Sequence, residues 1–401
     1  MQTSLLINSV IDFPFSFGQK SSLLLIFFFH AIVFSALLLY KGIRYANNAS
    51  KWLSLLLFLF AMYITPYMLG YAGWYGEKLT RDILFFIPFM QVLLIGPVVY
   101  FYTKSLLNIS FKLTKKDGLH FIPALLYLVY SLVIFITDKL VLDDYYFYAD
   151  GRDKDLANWY QVAGLLSMSI YLVLSLKYYN NYKKLVFDTV SYAETILFQW
   201  IRNFMIAFLG ILILRVTFFI TNPEWGEFGS QFWHYISFSI VIYYISINGY
   251  SNTIKATVYS EGNVEEINVF KEERNLPENN LKDNPIDKDL NNWKERLQSL
   301  IENKRLYENP KLTLSEVAKE LQTNSKVIST IVNNGFEMNF NDFINHHRIE
   351  AVKEKINNNE HKTSTLLGIA LDCGFNSKAT FNRAFKKSTS MSPKDYINKM
   401  S

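Results

Sequence analysis

Seven stretches within the first 250 residues are each roughly 20 residues long and nearly free of charge, the length a helix needs to cross a hydrocarbon core. They run approximately Ser21–Tyr40, Trp52–Tyr71, Ile83–Thr103, Leu119–Thr137, Trp159–Leu176, Phe204–Ile220 and Phe232–Tyr250. A helix facing water on one side shows a polar stripe. The run Leu23-Leu24-Leu25-Ile26-Phe27-Phe28-Phe29 leaves no room for one. Residues 1–250 therefore read as a multi-span transmembrane domain, with Trp52, Trp74, Trp159 and Trp233 near span ends, as in an aromatic belt. The first span is not a signal peptide: it lacks a basic start and a small-residue cleavage site.

The loop charges orient this bundle. The loops after spans one, three and five carry 11 Lys/Arg, among them Lys41, Arg44, Lys115, Lys116, Lys183 and Lys184, against Asp117, Asp188 and Glu194. The other side carries 6 Lys/Arg against 11 acidic residues, concentrated in Asp138–Asn158. Basic loops stay in the cytoplasm. The N-terminus is then outside, and an odd number of spans puts the C-terminus inside, at the cytoplasmic (inner) membrane. The external loops are short, so a small or lipophilic signal suits this side better than a large one.

Within the spans, Arg215 is the one conspicuous charge, and an intramembrane charge is costly unless it faces the bundle interior or reaches an interface. It reads either as a ligand contact or intramembrane switch, or as a group that snorkels or bonds backbone carbonyls. His30, Gln91 and His234 read as interhelical hydrogen bonds, and Pro66, Pro88 and Pro97 as bends. No HExxH, paired intramembrane Asp or Ser/His arrangement is present, and Cys373 is the single cysteine, so no catalytic site, metal site or cofactor is expected.

From Ser251 the chain becomes polar: residues 251–401 hold 22 Lys/Arg and 21 Asp/Glu. Residues 251–307 form a cytoplasmic connector, with Glu272–Asp289 reading as a solvated linker. Leu290, Trp293, Leu297, Leu300 and Ile301 then repeat at helical spacing. That amphipathic helix either docks on the following domain or pairs with a second copy as a homodimer contact.

Residues 308–401 break into short helices. Thr313 with Glu316 forms a capping box before Leu314, Val317, Ala318 and Leu321. A polar turn, Gln322-Thr323-Asn324, leads to Ser325–Asn333, with Val327, Ile328, Ile331 and Val332 inward. This is helix-turn-helix spacing. A longer helix follows near Asn341–Asn357, and the pattern repeats: Thr363–Asp372, a turn at Gly374, and Ser377–Lys387 with Ala379, Phe381, Ala384 and Phe385 buried. The opposite face shows Ser377, Lys378, Thr380, Asn382, Arg383, Lys386 and Lys387, the residue types that reach phosphates and base edges.

The segment ALDCGFNSKATFNRAFKK (Ala370–Lys387) with Met391–Tyr396 resembles the signature of AraC-type transcription regulators, and Leu314–Val332 with Arg348 and Ala351 resembles the family's first half. The resemblance covers about the last 95 residues and implies a seven-helix domain in which two helix-turn-helix units, joined by a long helix, each place one helix in the major groove. It carries groove-facing roles to Asn324, Lys326, Ser329 and Thr330 in the first unit, and to Ser377, Lys378, Thr380 and Asn382 in the second, with Arg383 nearby. Ser390 departs from the pattern, which has Gly there. The whole chain resembles membrane-bound bacterial regulators of this type. The fold class expected is all-α, and the partners are double-stranded DNA and the lipid bilayer. The function expected is a one-component receptor passing a membrane or external signal to transcription. A constitutive regulator with a passive membrane anchor, and a transporter with an accessory regulatory domain, remain as alternatives.

Overall fold

A computed structural model describes residues 17–108, 110–196, 199–221, 231–261 and 289–400. Every regular element in it is helical; an isolated bridge between Val190 and Thr313 is the one strand-like pairing among the described residues. The linker expected at Glu272–Asp289 and the acidic Asp12, Glu224 and Glu227 lie outside the described residues, apart from Asp289 itself. The chain divides into two units, 1–179 with 199–258 and 180–198 with 259–401.

The first unit is built from α1 (Gln19–Arg44), α2 (Asn48–Tyr71), α3 (Lys78–Phe86), α4 (Val92–Leu107), α5 (Ile122–Phe135), most of α6 (Asn158–Thr189), α8 (Gln199–Thr221) and most of α9 (Phe232–Glu261). Among the described residues, five helical segments are long and apolar enough to cross a membrane: Gln19–Arg44, Asn48–Tyr71, Lys115–Val141, Asn158–Thr189 and Gln199–Thr221. The α2 helix is central, with Leu53, Leu56, Leu57, Phe60 and Ile64 fully buried. In contrast, α5 turns Leu125, Leu126, Val129, Leu132 and Val133 outward, as α1 does Ile26, Phe29 and Val33. Soluble monomers rarely expose apolar surface on this scale. Close approach of α4 and α6 depends on Gly164, where an added Cβ would lie 2.5 Å from Val92 Cγ2.

Two expected spans differ from their sequence reading. Ile83–Thr103 is not one helix: α3 ends at Phe86 and α4 starts at Val92. Pro88 lacks an N–H and disfavours helix at the residue before it. The freed backbone groups find side-chain partners, as apolar surroundings demand: Met90 N donates to Asp155 Oδ2 at 2.8 Å, and the Tyr160 hydroxyl donates to Met90 O at 2.7 Å. The seventh stretch is one helix, α9, but His234, Asn248 and several Ser and Tyr make it less apolar than the five.

The second unit contains a short α7 (Ala193–Ile196), then α10 (Leu290–Asn303), α11 (Leu314–Glu320), α12 (Ser325–Thr330), α13 (Phe340–Asn357), α14 (Leu366–Asp372), α15 (Lys378–Thr389) and α16 (Pro393–Met400). The amphipathic connector helix is α10, and it docks within this unit, with Leu297 and Ile301 fully buried. The long α13 shares a core with α14 and α15 through Ile349, Val352, Ile369, Phe375, Phe381 and Phe385.

Of the described residues with left-handed backbone, two bear on the second helix-turn-helix unit. Gly374 has φ +89°, and a Cβ there would sit 2.2 Å from Tyr307 O, so glycine is required twice over. Ser390, which ends α15, has φ +59°. A non-glycine residue costs roughly 1–2 kcal/mol in that region. Ser390→Gly is therefore expected to stabilise the second unit by up to about 1 kcal/mol, and Gly374→Ala to destabilise it by roughly 1–3 kcal/mol or more. Hydrogen exchange of the Ile369–Cys373 amides in the full chain measures both.

Candidate nucleic-acid interface

Each helix-turn-helix unit is set by its caps. In the first, Thr313 and Glu316 close the expected capping box on α11, and Asn324 caps α12 by accepting from Val327 N at 3.0 Å. In the second, Thr365 caps α14, and Ser377 caps α15 by accepting from Thr380 N at 3.1 Å. Such caps typically contribute ~1 kcal/mol each. They fix where each second helix begins, and so which side chains its outer face presents.

In the first unit Asn324 is exposed and Lys326 and Thr330 are half-buried, with the Thr330 hydroxyl donating to Lys326 O. Ser329, expected to face the groove, is instead buried, and accepts from Asn333 Nδ2 at 3.2 Å. In the second unit Lys378, Asn382, Arg383, Lys386 and Lys387 share the exposed side of α15, while Ser377 is half-buried. Two expectations are reversed there. Ala379, read as buried, is exposed; Thr380, read as groove-facing, is buried, and its hydroxyl accepts from Ser377 Oγ at 2.9 Å. Buried Phe381 and Phe385 set the helix phase and carry the adjacent Thr380 inward.

Behind this face lies Arg348, whose side chain is among the largest fully buried ones. Its Nε donates to Tyr307 O at 2.8 Å and Nη2 to Asn309 O at 2.8 Å; Nη1 donates to Asn345 Oδ1 at 3.1 Å. Two further bonds reach Ser191, from Nη1 to its carbonyl at 3.1 Å and from Nη2 to its hydroxyl at 2.9 Å. Burial pulls the guanidinium down to about 9. Asn341 Nδ2 also donates to Ser191 O, at 2.8 Å, and Ser191 N donates to Leu312 O at 3.0 Å. The segment that joins α6 to α8 is thus built into the helix-turn-helix unit. The sequence reading missed Ser191 and Asn341 as structural partners. A small polar run, Thr189 to Ser191, between two apolar helices was the one available signal.

Among the apolar helices, on α8, Arg215 is buried and faces the interior. Its Nη1 donates to the Tyr63 hydroxyl at 2.8 Å, and Nη2 to the carbonyl and side-chain oxygens of Gln161. Gln161 Nε2 in turn donates to Asp155 O. Asp155 accepts from the Tyr127 hydroxyl at 2.6 Å, and Asp153 from the Tyr75 hydroxyl at 2.7 Å. The chain Tyr63–Arg215–Gln161–Asp155 connects mid-bundle to the 138–158 loop. Beside that loop is a cavity of about 1070 Å³, lined by Tyr67, Tyr75, Arg81, Tyr145, Tyr148 and Trp159 among others. His30 makes the expected interhelical bond, to Ser246 Oγ, whereas Gln91 bonds locally to Pro88 O. Among the described residues no His/Cys/Asp/Glu group is arranged to hold a metal ion.

Two helix-turn-helix units flanking one long helix define a DNA-binding domain. Residues 317–399 match the family model described as a helix-turn-helix domain, which supports an AraC-type DNA-binding transcription regulator. No curated protein and no solved structure matches the chain.

Burial raises both loop carboxyls, Asp153 to about 7 and Asp155 well above its ordinary value, where Asp153 adds to the effect. The folded state therefore holds protons that the unfolded chain has lost, and stability falls as pH rises from the ordinary carboxylate range to about 7. The full chain in detergent is expected to melt several degrees lower at alkaline than at mildly acidic pH. Asp153→Asn should flatten the part of that profile below neutrality, as read by thermal melts across pH.

Proposed function

We propose that the chain is a membrane-embedded, sequence-specific transcription regulator that acts as a one-component receptor. The bundle lies in the cytoplasmic membrane with the N-terminus outside, and the second unit works in the cytoplasm on double-stranded DNA. The exposed basic face of α15 supports the DNA-binding part, and the family match agrees with it. Five apolar helices, and outward Leu, Val and Phe side chains on α1 and α5, favour a bilayer location. The charge asymmetry of the loops favours the orientation.

One observation carries the receptor reading over a passive anchor: the segment between two apolar helices supplies Ser191 to Arg348 of the DNA-binding unit. An anchor needs one flexible tether. Here the unit is held at 180–198 as well as through the connector, so rearrangement of the helices bearing that segment reaches it directly. The cavity beside the 138–158 loop, lined by Tyr67, Tyr75 and Trp159 together with Arg81, Asp144 and Lys154, has room for a small signal. A signal shifts the protein only by binding two arrangements unequally, and Arg215 is our candidate intramembrane contact for that difference.

Full-length protein in nanodiscs should bind duplex DNA with a steep salt dependence. Replacing Lys378 or Asn382 should change sequence preference, whereas Lys386→Gln should weaken all sequences alike and lower the salt slope by about one. Absence of salt-sensitive DNA binding overturns the reading. Replacing residues 17–179 and 199–258 with an unrelated anchor should abolish condition-dependent transcription; regulation that survives this change makes the bundle an anchor only.

A further inference from the structure

Glu194 belongs to the segment between α6 and α8, yet its Oε1 lies 2.5 Å from Nη1 of Arg383 on the exposed face of α15. The Arg383 side chain is 64% exposed, and Glu194 is the more enclosed partner at 15%. An ion pair at a surface contributes little when both side chains must be ordered to make it. Glu194 is partly ordered in advance. Three residues earlier, Ser191 is fixed by Arg348, Asn341 and Leu312 O, and Val190 bridges to Thr313. The anchor sits on buried groups, and the carboxylate is carried from it to a guanidinium on the expected recognition helix.

The contact is built to be exchanged. Glu194 Oε2 is buried with no hydrogen-bond partner among the described residues, and an unsatisfied buried carboxylate oxygen weakens the contact that holds it. On the same helix Lys387 is also held internally, by Asp342 Oδ2 at 2.7 Å. Two cations that would otherwise meet a phosphate backbone are therefore engaged by carboxylates of the chain itself. Only the Glu194 carboxylate comes from the segment between the apolar helices.

We propose that Glu194, carried on the Ser191 anchor, is an autoinhibitory latch: it occupies Arg383 in the place of a DNA phosphate, and its displacement releases Arg383 for DNA. This rests on the DNA-binding reading above, and names the contact through which the membrane helices restrain it. Release exchanges a protein carboxylate for a phosphate oxygen at the same guanidinium, so it adds one phosphate contact.

The test is DNA binding by the full chain in nanodiscs, read by fluorescence anisotropy with a labelled random-sequence duplex, across a salt series. Glu194→Gln should tighten binding by about 3- to 10-fold, as expected for freeing one partly buried ion pair. It should also steepen the logarithmic salt slope by about 0.9, one further phosphate contact. Glu194→Asp, which keeps the charge but shortens the reach, should give a gain in the same direction. In an Arg383→Gln background, Glu194→Gln should change neither affinity nor slope. The latch is overturned if wild type binds DNA and Glu194→Gln binds with the same affinity and slope, or if the gain survives in the Arg383→Gln background. Failure of wild type and every variant to bind at low salt removes the DNA-binding reading itself, and the latch with it.

Discussion

A guanidinium as deeply buried as that of Arg348 must be met by oxygen atoms on several sides, because an uncompensated buried charge is among the most costly features a fold can contain. Here the oxygens come from three separate parts of the chain: the Tyr307–Asn309 turn, Asn345 on the same helix, and Ser191 between α6 and α8. No carboxylate takes part in these bonds, so the site is held by backbone, amide and hydroxyl dipoles aimed at one point. The rest of the second unit follows from it. The long helix that carries Arg348 also carries the core shared with α14 and α15. The turn bonded to Arg348 is the one that Gly374 approaches too closely for any side chain.

The same logic, burial that forces pairing, runs through the unit of apolar helices. Arg215 is satisfied by a tyrosine hydroxyl and by Gln161. The interruption between α3 and α4 is tolerated because Asp155 and Tyr160 take up the released backbone groups at Met90. Asp155 thus serves both the helix break and, through Gln161, the buried arginine. A network of this kind has few arrangements that satisfy every member, which makes it a suitable element for switching between discrete states rather than yielding gradually.

In the proposed receptor reading, a small rearrangement among apolar helices must reach a DNA-binding surface. The 180–198 segment offers a short covalent path, with Ser191 as the fixed point and Glu194 as the group that meets Arg383. In that reading a signal need only bind two arrangements with different affinity.

Much of this was legible in the residues. Apolar runs of spanning length, the Thr313–Glu316 capping box, the turn glycine at Gly374 and the doubled helix-turn-helix spacing are local properties, decided by side-chain chemistry over a few helical turns. The strained Ser390 was visible as a departure from an expected glycine. Helix phase was less secure: Ala379 and Thr380 are adjacent, both small, and exchanged faces once Phe381 and Phe385 fixed the rotation of α15. The interruption after Phe86 needed Asp155 and Tyr160, more than sixty residues away. What the sequence by itself determined is the all-helical class, the apolar bundle and the DNA-binding domain. Only the tertiary structure decided that 180–198 belongs with that domain and that Arg348 and Arg383 are engaged by it. Those contacts join residues some 150 to 190 positions apart, and no local periodicity records which distant oxygen a buried guanidinium will find.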